Sequence, residues 1–244
     1  MSAEADSHIS PDGDGESRLV EAVTRRQVLL RHPYPLAPSA DLLLAHHPRH
    51  PRAEAIRALR TRLLLARDSA RHTGTIALLS PSREEGRSRL CAELAIAFAQ
   101  LGRATLLVDA DLRHPRQHLL FDAPNQSGLV QALRQNEPPR MHGVQGLPAM
   151  ALLSSGGIPP NPLELLSGDG LEQFLNVWQR DYDFIVVDTP PIIPYSDGVA
   201  IGSVVRRALI VTRAPSTSFK ALQETTRQLA AAPIHIVGAV INRF

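Results

Sequence analysis

The chain has 244 residues and a formal net charge of +2, and 43% of its residues are hydrophobic while 4% are aromatic. This composition supports a sizeable core in one large α/β domain, and the small charge and few aromatic side chains argue against a nucleic-acid-binding protein. The single cysteine, Cys91, excludes a disulfide within the chain. The apolar runs are too short to span a membrane and the acidic start is not typical of a signal peptide, so we expect a cytoplasmic protein.

The first part of the chain differs from the rest in composition. Residues 1–50 are rich in Pro, His, Ser, Asp and Gly and show no sustained periodicity. They are therefore predicted to form a flexible or loosely docked segment, followed by one domain over residues 51–244.

Apolar residues recur at helical spacing from Ala53 to Ala70, which predicts an amphipathic helix. Glu54, Arg57 and Arg60 lie three residues apart along one side of this helix. By its residues alone, such a mixed-charge strip is typical of a solvated helix face with local ion pairs.

From Thr75 onward, short apolar stretches alternate with helical ones. Apolar strands separated by helices are typical of a parallel sheet covered on both faces, so the sequence predicts an α/β fold with a mostly parallel sheet and helices on both faces. The predicted strands are 75–79, 104–108, 150–153, 184–187, 208–212 and 234–241. The predicted helices include 88–101, 171–180 and 218–231.

The segment 80–91 joins the first predicted strand to a helix and contains Gly86-Arg87-Ser88. A loop in this position aims backbone N–H groups and a helix N-terminus at a polyphosphate, and it usually ends in Gly-Lys-Ser or Gly-Lys-Thr. Taken alone, the tripeptide is equally compatible with an ordinary turn capped by Ser88.

Two later strands end in aspartate. Asp109 and Asp111 follow one of them, and Asp188 follows the other. The ligand crevice of an open parallel sheet lies at the carboxyl ends of its strands, so the loop and these carboxylates are predicted to converge on one site. A phosphate loop that faces strand-end aspartates is typical of a site for a magnesium nucleotide.

These motifs, taken in order, resemble the bacterial tyrosine autokinases of exopolysaccharide and capsule biosynthesis, in particular their EpsG-like chain-length-determinant subgroup. The resemblance covers about residues 34–244 and rests on the segments 54–61, 80–88, 108–118, 159–166, 186–191 and 241–244. It implies a P-loop NTPase-like fold, ATP and Mg²⁺ as cofactors, and ATP-dependent phosphorylation of tyrosine in the control of exopolysaccharide chain length and export. It also implies a membrane-embedded chain-length-determinant partner, which would hold the protein at the cytoplasmic side of the inner membrane.

The resemblance also assigns roles to individual residues. Asp109 would polarise the attacking tyrosine hydroxyl or hold a metal-bound water, and Asp111 and Arg87 would be the other catalytic residues. The nucleotide would be bound by Glu85, Gly86, Arg87, Ser88, Arg89 and Asn242. The metal ion would be held by Ser88, Asp111 and Asp188. The strip of Glu54, Arg57 and Arg60 would join neighbouring subunits into an oligomer.

The loop departs from the family pattern at two positions. Arg87 stands where lysine is usual, which keeps the positive charge but changes its geometry. Glu84 stands where glycine is usual, so it is expected to strain the backbone at a cost on the order of 1 kcal/mol and to repel phosphate. These departures leave open a catalytically weak or inactive P-loop regulator that partners the membrane chain-length protein. A third interpretation is a partitioning-type P-loop ATPase.

Overall fold

The computed structural model describes residues 36–66 and 74–243. Its strands are β1 (Gly74–Leu79), β2 (Thr105–Asp109), β3 (His142–Val144), β4 (Leu147–Leu153), β5 (Phe184–Asp188), β6 (Arg207–Arg213) and β7 (His235–Asn242). They form one seven-stranded sheet in the order β3-β4-β2-β5-β1-β6-β7. Neighbouring strands are parallel except for the antiparallel pair of β3 and β4. The predicted mostly parallel sheet is confirmed.

Helices cover both faces of this sheet, as predicted. They are α1 (Leu43–His46), α2 (Pro51–Leu65), α3 (Arg87–Ala99), α4 (Gln117–Leu120), α5 (Leu129–Gln135), α6 (Pro162–Leu166), α7 (Gly170–Asp181), α8 (Asp197–Val205) and α9 (Phe219–Ala230). Helices α1 to α4 pack into the core on one face, and α5 to α9 pack into the core on the other.

The predicted elements match the observed ones to within a few residues at each end, but β3, the helices α1, α4, α5 and α6, and the nine-residue α8 were not among them. β3 spans three residues, and α1, α4 and α6 span one turn or little more, which is too short for a periodic pattern to be recognised. The predicted amphipathic helix 53–70 corresponds to α2, which ends at Leu65. Residues 67–70 of that prediction lie outside the described residues.

Helix α3 is the central helix of its face and positions the loop that precedes it. Eleven of its thirteen residues are buried, among them several alanines that allow close packing on the sheet. At its C-terminal end, the ring of Phe98 stacks on that of Phe184 in β5, with centroids 3.9 Å apart. Because α3 is held on nearly every side, the start of the helix is held at a defined place above the sheet edge.

Residues 36–50 pack against the outer side of α3. Leu36, Leu42 and Leu44 are buried in the same core as α3. The carboxylate of Glu93 in α3 accepts hydrogen bonds from the backbone N–H groups of Leu43 at 2.7 Å and Leu44 at 2.9 Å. Residues 36–50 are therefore firmly packed, although they belong to the segment that was predicted to be flexible or loosely docked. The domain boundary at residue 50 stays a prediction, because residues 1–35 lie outside the described residues.

The search for membrane-spanning helices covered residues 36–66 and 74–243. Within these ranges no helix combines the length and the apolar character that are needed to cross a bilayer.

We expect Glu93→Ala to lower the free energy of unfolding by about 1–3 kcal/mol, because two backbone N–H groups would lose their buried acceptor. Denaturation in urea measures this change. Glu224→Ala is the matched control, since Glu224 bonds only to neighbours on the exposed surface of α9 and should leave stability nearly unchanged. An equal effect of both substitutions would show that Glu93 does not hold residues 36–50 in place.

Candidate functional site

The carboxyl ends of β1, β5 and β2 lie side by side at one edge of the sheet. Asp188 of β5 is in register with Leu78 of β1 on one side and with Asp109 of β2 on the other. The N–H of Ala110 donates to the carbonyl of Asp188 at 2.9 Å, which holds the ends of β2 and β5 together. The loop and the strand-end aspartates therefore converge at this edge, as the sequence predicts.

The loop between β1 and α3 makes its sharpest turn at Gly86, whose φ is +82°. A Cβ atom at this position would lie 2.1 Å from the side-chain nitrogen of Asn242. That nitrogen also donates to the carbonyl of Glu85 at 3.1 Å. Only glycine fits here without strain, because the backbone is left-handed and the end of β7 packs directly against the loop.

A cavity of about 300 Å³ lies over this loop and the start of α3. The first N–H groups of a helix have no partner within the helix, so the start of α3 offers donors for an anion. Basic groups of the lining can add positive charge. They are Arg83, Arg87, Arg89, His114 and Arg116. The lining also includes the acidic residues Asp41, Glu84, Glu85 and Asp111.

A second cavity of about 470 Å³ lies next to the first, and Gly86 and Arg89 line both. Apolar residues of α2, including Ile56 and Leu59, line one side, and residues of β7 with Asn242 line the other. The two cavities together form a charged compartment next to a more apolar one.

Arg87 lies at the centre of the strand-end aspartates. Its Nε donates to Asp188 Oδ1 at 3.0 Å, and its Nη2 donates to Asp111 Oδ2 at 2.8 Å. Its Nη1 donates to the hydroxyl of Ser80 at 2.6 Å, and the side chain is only 7% exposed. Burial disfavours the charge on Arg87, but the nearby Asp188 and Asp111 outweigh it and raise the pKa of the guanidinium. The predicted loop cation is thus bonded to two of the predicted carboxylates.

Asp109 lies beneath the site and does not line the cavity. Its side chain is fully buried, and Oδ2 accepts from the backbone N–H groups of Arg116 at 3.1 Å and Gln117 at 2.9 Å. Burial, together with the nearby charge of Asp188, raises the pKa of Asp109 well above its usual value. This position does not support the predicted contact with an incoming tyrosine hydroxyl, because the start of α4 covers the carboxylate.

Asp111 is the strand-end aspartate that faces the cavity. Its Oδ1 accepts from the backbone N–H groups of Arg113 at 3.2 Å and His114 at 2.9 Å, which fixes its orientation. Burial raises the pKa of Asp111, and the neighbouring Arg87 offsets part of this change. Asp111 is therefore better placed than Asp109 to meet a group that enters the cavity.

The arrangement does not match the predicted magnesium site. Mg²⁺ requires near-octahedral oxygen ligands and keeps several waters, whereas the guanidinium of Arg87 fills the space between Asp111 and Asp188. Across residues 36–66 and 74–243, no group of three or more His, Cys, Asp or Glu side chains is arranged to hold a metal ion. Ser88 lines the cavity. The metal role of Ser88, Asp111 and Asp188 stays a prediction, and it requires Arg87 to move.

The loop also shows the strain that its sequence predicts. Glu84 has a φ of +63°, in the left-handed region that favours glycine. Its carbonyl accepts from Arg213 Nη1 at 3.2 Å, and its side chain is exposed. Glu85 is buried, and its carboxylate accepts from the hydroxyl of Thr217 at 2.5 Å. One of the two loop glutamates is thus turned into the protein, and the other remains at the cavity wall.

Sequence reasoning missed Gln117 as a site residue. Its fully buried side chain donates from Nε2 to Asp188 Oδ2 at 2.8 Å and to the carbonyl of Ser88 at 2.9 Å. It therefore ties the start of α3 to the end of β5. Gln117 lies within the segment 108–118, but neither its residue type nor its spacing indicates that it is buried between these elements.

The predicted strip on α2 is partly engaged within the chain. Arg57 bonds to Glu54 and to the carbonyl of Pro48 at 2.7 Å, and Arg60 donates to the carbonyl of Ala97 at 3.0 Å. The side chain of Glu54 is 67% exposed, and that of Arg57 is 25% exposed. Glu54 is thus open to a neighbour, whereas Arg60 also helps to hold α2 on α3.

Known proteins resemble the chain over most of its length. The putative tyrosine-protein kinase CapB of Staphylococcus aureus is 30% identical over 208 residues, which are 84% of this chain and 90% of CapB. The tyrosine-protein kinase etk of Escherichia coli (strain K12) is 32% identical over 202 residues, which are 82% of this chain and 28% of etk. No protein-family model matches the chain.

A solved structure agrees with these relatives. The kinase domain of Escherichia coli tyrosine kinase ETK superposes with a TM-score of 0.79 at 30% sequence identity, over 87% of this chain and 82% of that domain. The chain thus spans most of CapB but only 28% of the longer etk. By sequence and by fold, it belongs to the family of bacterial tyrosine-protein kinases.

Proposed function

We propose that the chain binds ATP across the two neighbouring cavities and transfers the γ-phosphoryl group to tyrosine hydroxyls. The observation that carries this proposal is the convergence of the β1–α3 loop, Arg87 and Asp111 at one cavity. Phosphoryl transfer needs little covalent chemistry from a protein and depends on positioning and charge neutralisation. The site offers oriented backbone donors, several arginines and a buried carboxylate network for these tasks.

The phosphates would lie over the loop, where the N–H groups of Glu85, Gly86, Arg87 and Ser88 would donate to them at the start of α3. Arg89 lines both cavities and can follow the chain of phosphates from one to the other. The base and ribose would occupy the more apolar cavity beside Asn242. This assignment uses every predicted nucleotide-binding residue.

The tyrosine hydroxyl would enter beside Asp111, the strand-end aspartate that lines the cavity. Asp111 would accept a hydrogen bond from the hydroxyl and orient it toward the γ-phosphorus. Asp109 would act indirectly, because its carboxylate accepts the hydrogen bonds that hold the start of α4. Mg²⁺ is the predicted companion of ATP, but the observed side chains do not fit it while Arg87 bridges the carboxylates.

We also place this activity in the control of polysaccharide chain length and export. The tyrosine-kinase relatives include one described as lying in the cps region of Klebsiella pneumoniae. The matched region is only 28% of etk, so that relative contains much additional sequence. We propose that a membrane-embedded chain-length determinant is the partner of this domain and holds it at the cytoplasmic side of the inner membrane.

The activity itself is tested with radiolabelled ATP and a glutamate–tyrosine copolymer as acceptor. Asp188→Asn should reduce phosphotyrosine formation on the order of 100-fold, because a neutral amide no longer balances Arg87 at the site. Asp183→Asn is the matched control, since Asp183 precedes the same strand at the opposite edge of the sheet and bonds to the backbone of Ala104. Equal activity in both variants would contradict the catalytic assignment.

The same assay separates the kinase from the regulator. If the unaltered protein binds ATP but forms no phosphotyrosine, even with its membrane partner present, then the P-loop regulator is the better description.

Glu84→Gly should tighten ATP binding by roughly fivefold, about 1 kcal/mol, because it removes a carboxylate from the cavity wall and a side chain from a left-handed backbone. Isothermal titration calorimetry measures the affinity. Arg206→Gly relieves the same kind of backbone strain at φ +64° at the end of α8 and should leave ATP affinity unchanged. Unchanged or weaker binding by Glu84→Gly would show that Glu84 does not weaken the loop.

We further propose self-association through the strip of Glu54, Arg57 and Arg60. Arg57→Glu should lower the mass in solution, measured by analytical ultracentrifugation, because it places two like charges on the exposed part of the strip. Arg227→Glu is the control, since Arg227 forms the equivalent pair with Glu224 on α9. A monomeric unaltered protein at every concentration, with the membrane partner present, would exclude this assembly.

A further inference from the structure

The oxygen atoms of the two carboxylates around Arg87 all accept hydrogen bonds from the protein. Asp188 receives Arg87 Nε on Oδ1 and Gln117 Nε2 on Oδ2. Asp111 receives Arg87 Nη2 on Oδ2 and the N–H groups of Arg113 and His114 on Oδ1. A divalent cation that binds between these carboxylates therefore has to replace protein donors, and the charged donor among them is Arg87.

The negative charges of the strand-end aspartates favour a cation between them. Asp111 and Asp188 are buried beside each other, and Asp109 lies next to Asp188 in the neighbouring strand. Buried carboxylates that lie this close together repel one another, and they require a nearby positive charge to remain ionised. Arg87 supplies that charge while it contacts both carboxylates and Ser80 together.

We propose that Arg87 is the resident cation of the strand-end aspartates and excludes divalent metal from them as long as no nucleotide is bound. The side chain of Arg87 starts in the first turn of α3, beside the cavity where phosphate would bind. Phosphate offers its guanidinium a second anionic partner with matching bidentate geometry. The carboxylates then become free for a metal ion. In this protein the nucleotide opens the metal site, and free Mg²⁺ does not bind to it beforehand.

Two arginines in the described structure allow a matched comparison. Arg87 bridges two buried carboxylates, whereas Arg113 makes two hydrogen bonds of 3.0 Å to a single buried carboxylate, that of Asp197. Removal of either arginine leaves buried negative charge without its partner. Only the removal of Arg87 leaves two adjacent carboxylates that can share one divalent ion.

The experiment measures metal binding without nucleotide, so its result does not depend on kinase activity. Mn²⁺ is titrated into the unaltered protein, Arg87→Met and Arg113→Met, and free Mn²⁺ is followed by electron paramagnetic resonance. Arg87→Met should bind about one equivalent, at least roughly tenfold more tightly than the unaltered protein or Arg113→Met. Adding Asp188→Asn to Arg87→Met should abolish this binding and so locate it between the aspartates.

Thermal unfolding gives a second readout with MgCl₂ as the probe. Arg87→Met should melt at a lower temperature than the unaltered protein and regain part of the difference as Mg²⁺ is added, because a ligand of the folded state stabilises it by mass action. The melting temperatures of the unaltered protein and Arg113→Met should not respond beyond the effect of KCl at equal ionic strength. If Arg87→Met does not fold in EDTA, its refolding yield in MgCl₂ is compared with its yield in KCl. A higher yield in MgCl₂ is then the evidence that Mg²⁺ stabilises the variant.

Two results would overturn the proposal. One is stoichiometric Mn²⁺ binding by the unaltered protein without nucleotide, with the affinity of Arg87→Met. The other is an Arg87→Met variant that gains neither Mn²⁺ binding nor stability or refolding yield from Mg²⁺. A kinase assay that fails while the metal results hold would refute the proposed function and leave the role of Arg87 intact.

Discussion

The buried guanidinium of Arg87 joins three parts of the chain that are distant in sequence. It extends from the first turn of α3 to the carboxylate at the end of β5, to the carboxylate that follows β2, and to the hydroxyl at the start of the loop. A buried ion requires partners, and the loss of one of them typically costs several kcal/mol. The loop, the helix and the two strand ends are therefore stabilised together, and the shape of the cavity depends on this one cluster.

The need of buried polar groups for partners also extends the hydrogen-bond network away from the cavity. Gln117 is buried between the start of α3 and Asp188, and Asp109 receives two N–H groups at the start of α4. These hydrogen bonds satisfy donors and acceptors that burial has removed from water, although Asp109 Oδ1 and Gln117 Oε1 are buried without a hydrogen-bond partner. As a result, the short helix α4, which has little stability of its own, is held in place by the carboxylates of the neighbouring sheet edge.

The unusual loop keeps its shape by contacts that a standard glycine-rich loop would not need. Glu84 adopts a left-handed backbone conformation, and its carbonyl is held by Arg213. Glu85 is buried against Thr217, and Asn242 packs on Gly86. The ends of β6 and β7 thus support a loop whose own sequence is strained.

The sequence by itself determined the parallel α/β sheet, because continuous apolar strands between helices can be buried only in that way. It also determined that the loop and the aspartates share one edge, because parallel strands end on the same side. Only the tertiary structure decided what each side chain does there. The placement of Asp109 under α4, of Gln117 beside Asp188, and of Arg87 between two carboxylates depends on which residues burial brings within bonding distance. Asp188 lies 101 residues from Arg87 and 71 from Gln117 in the chain, so neither spacing nor residue type contains that information.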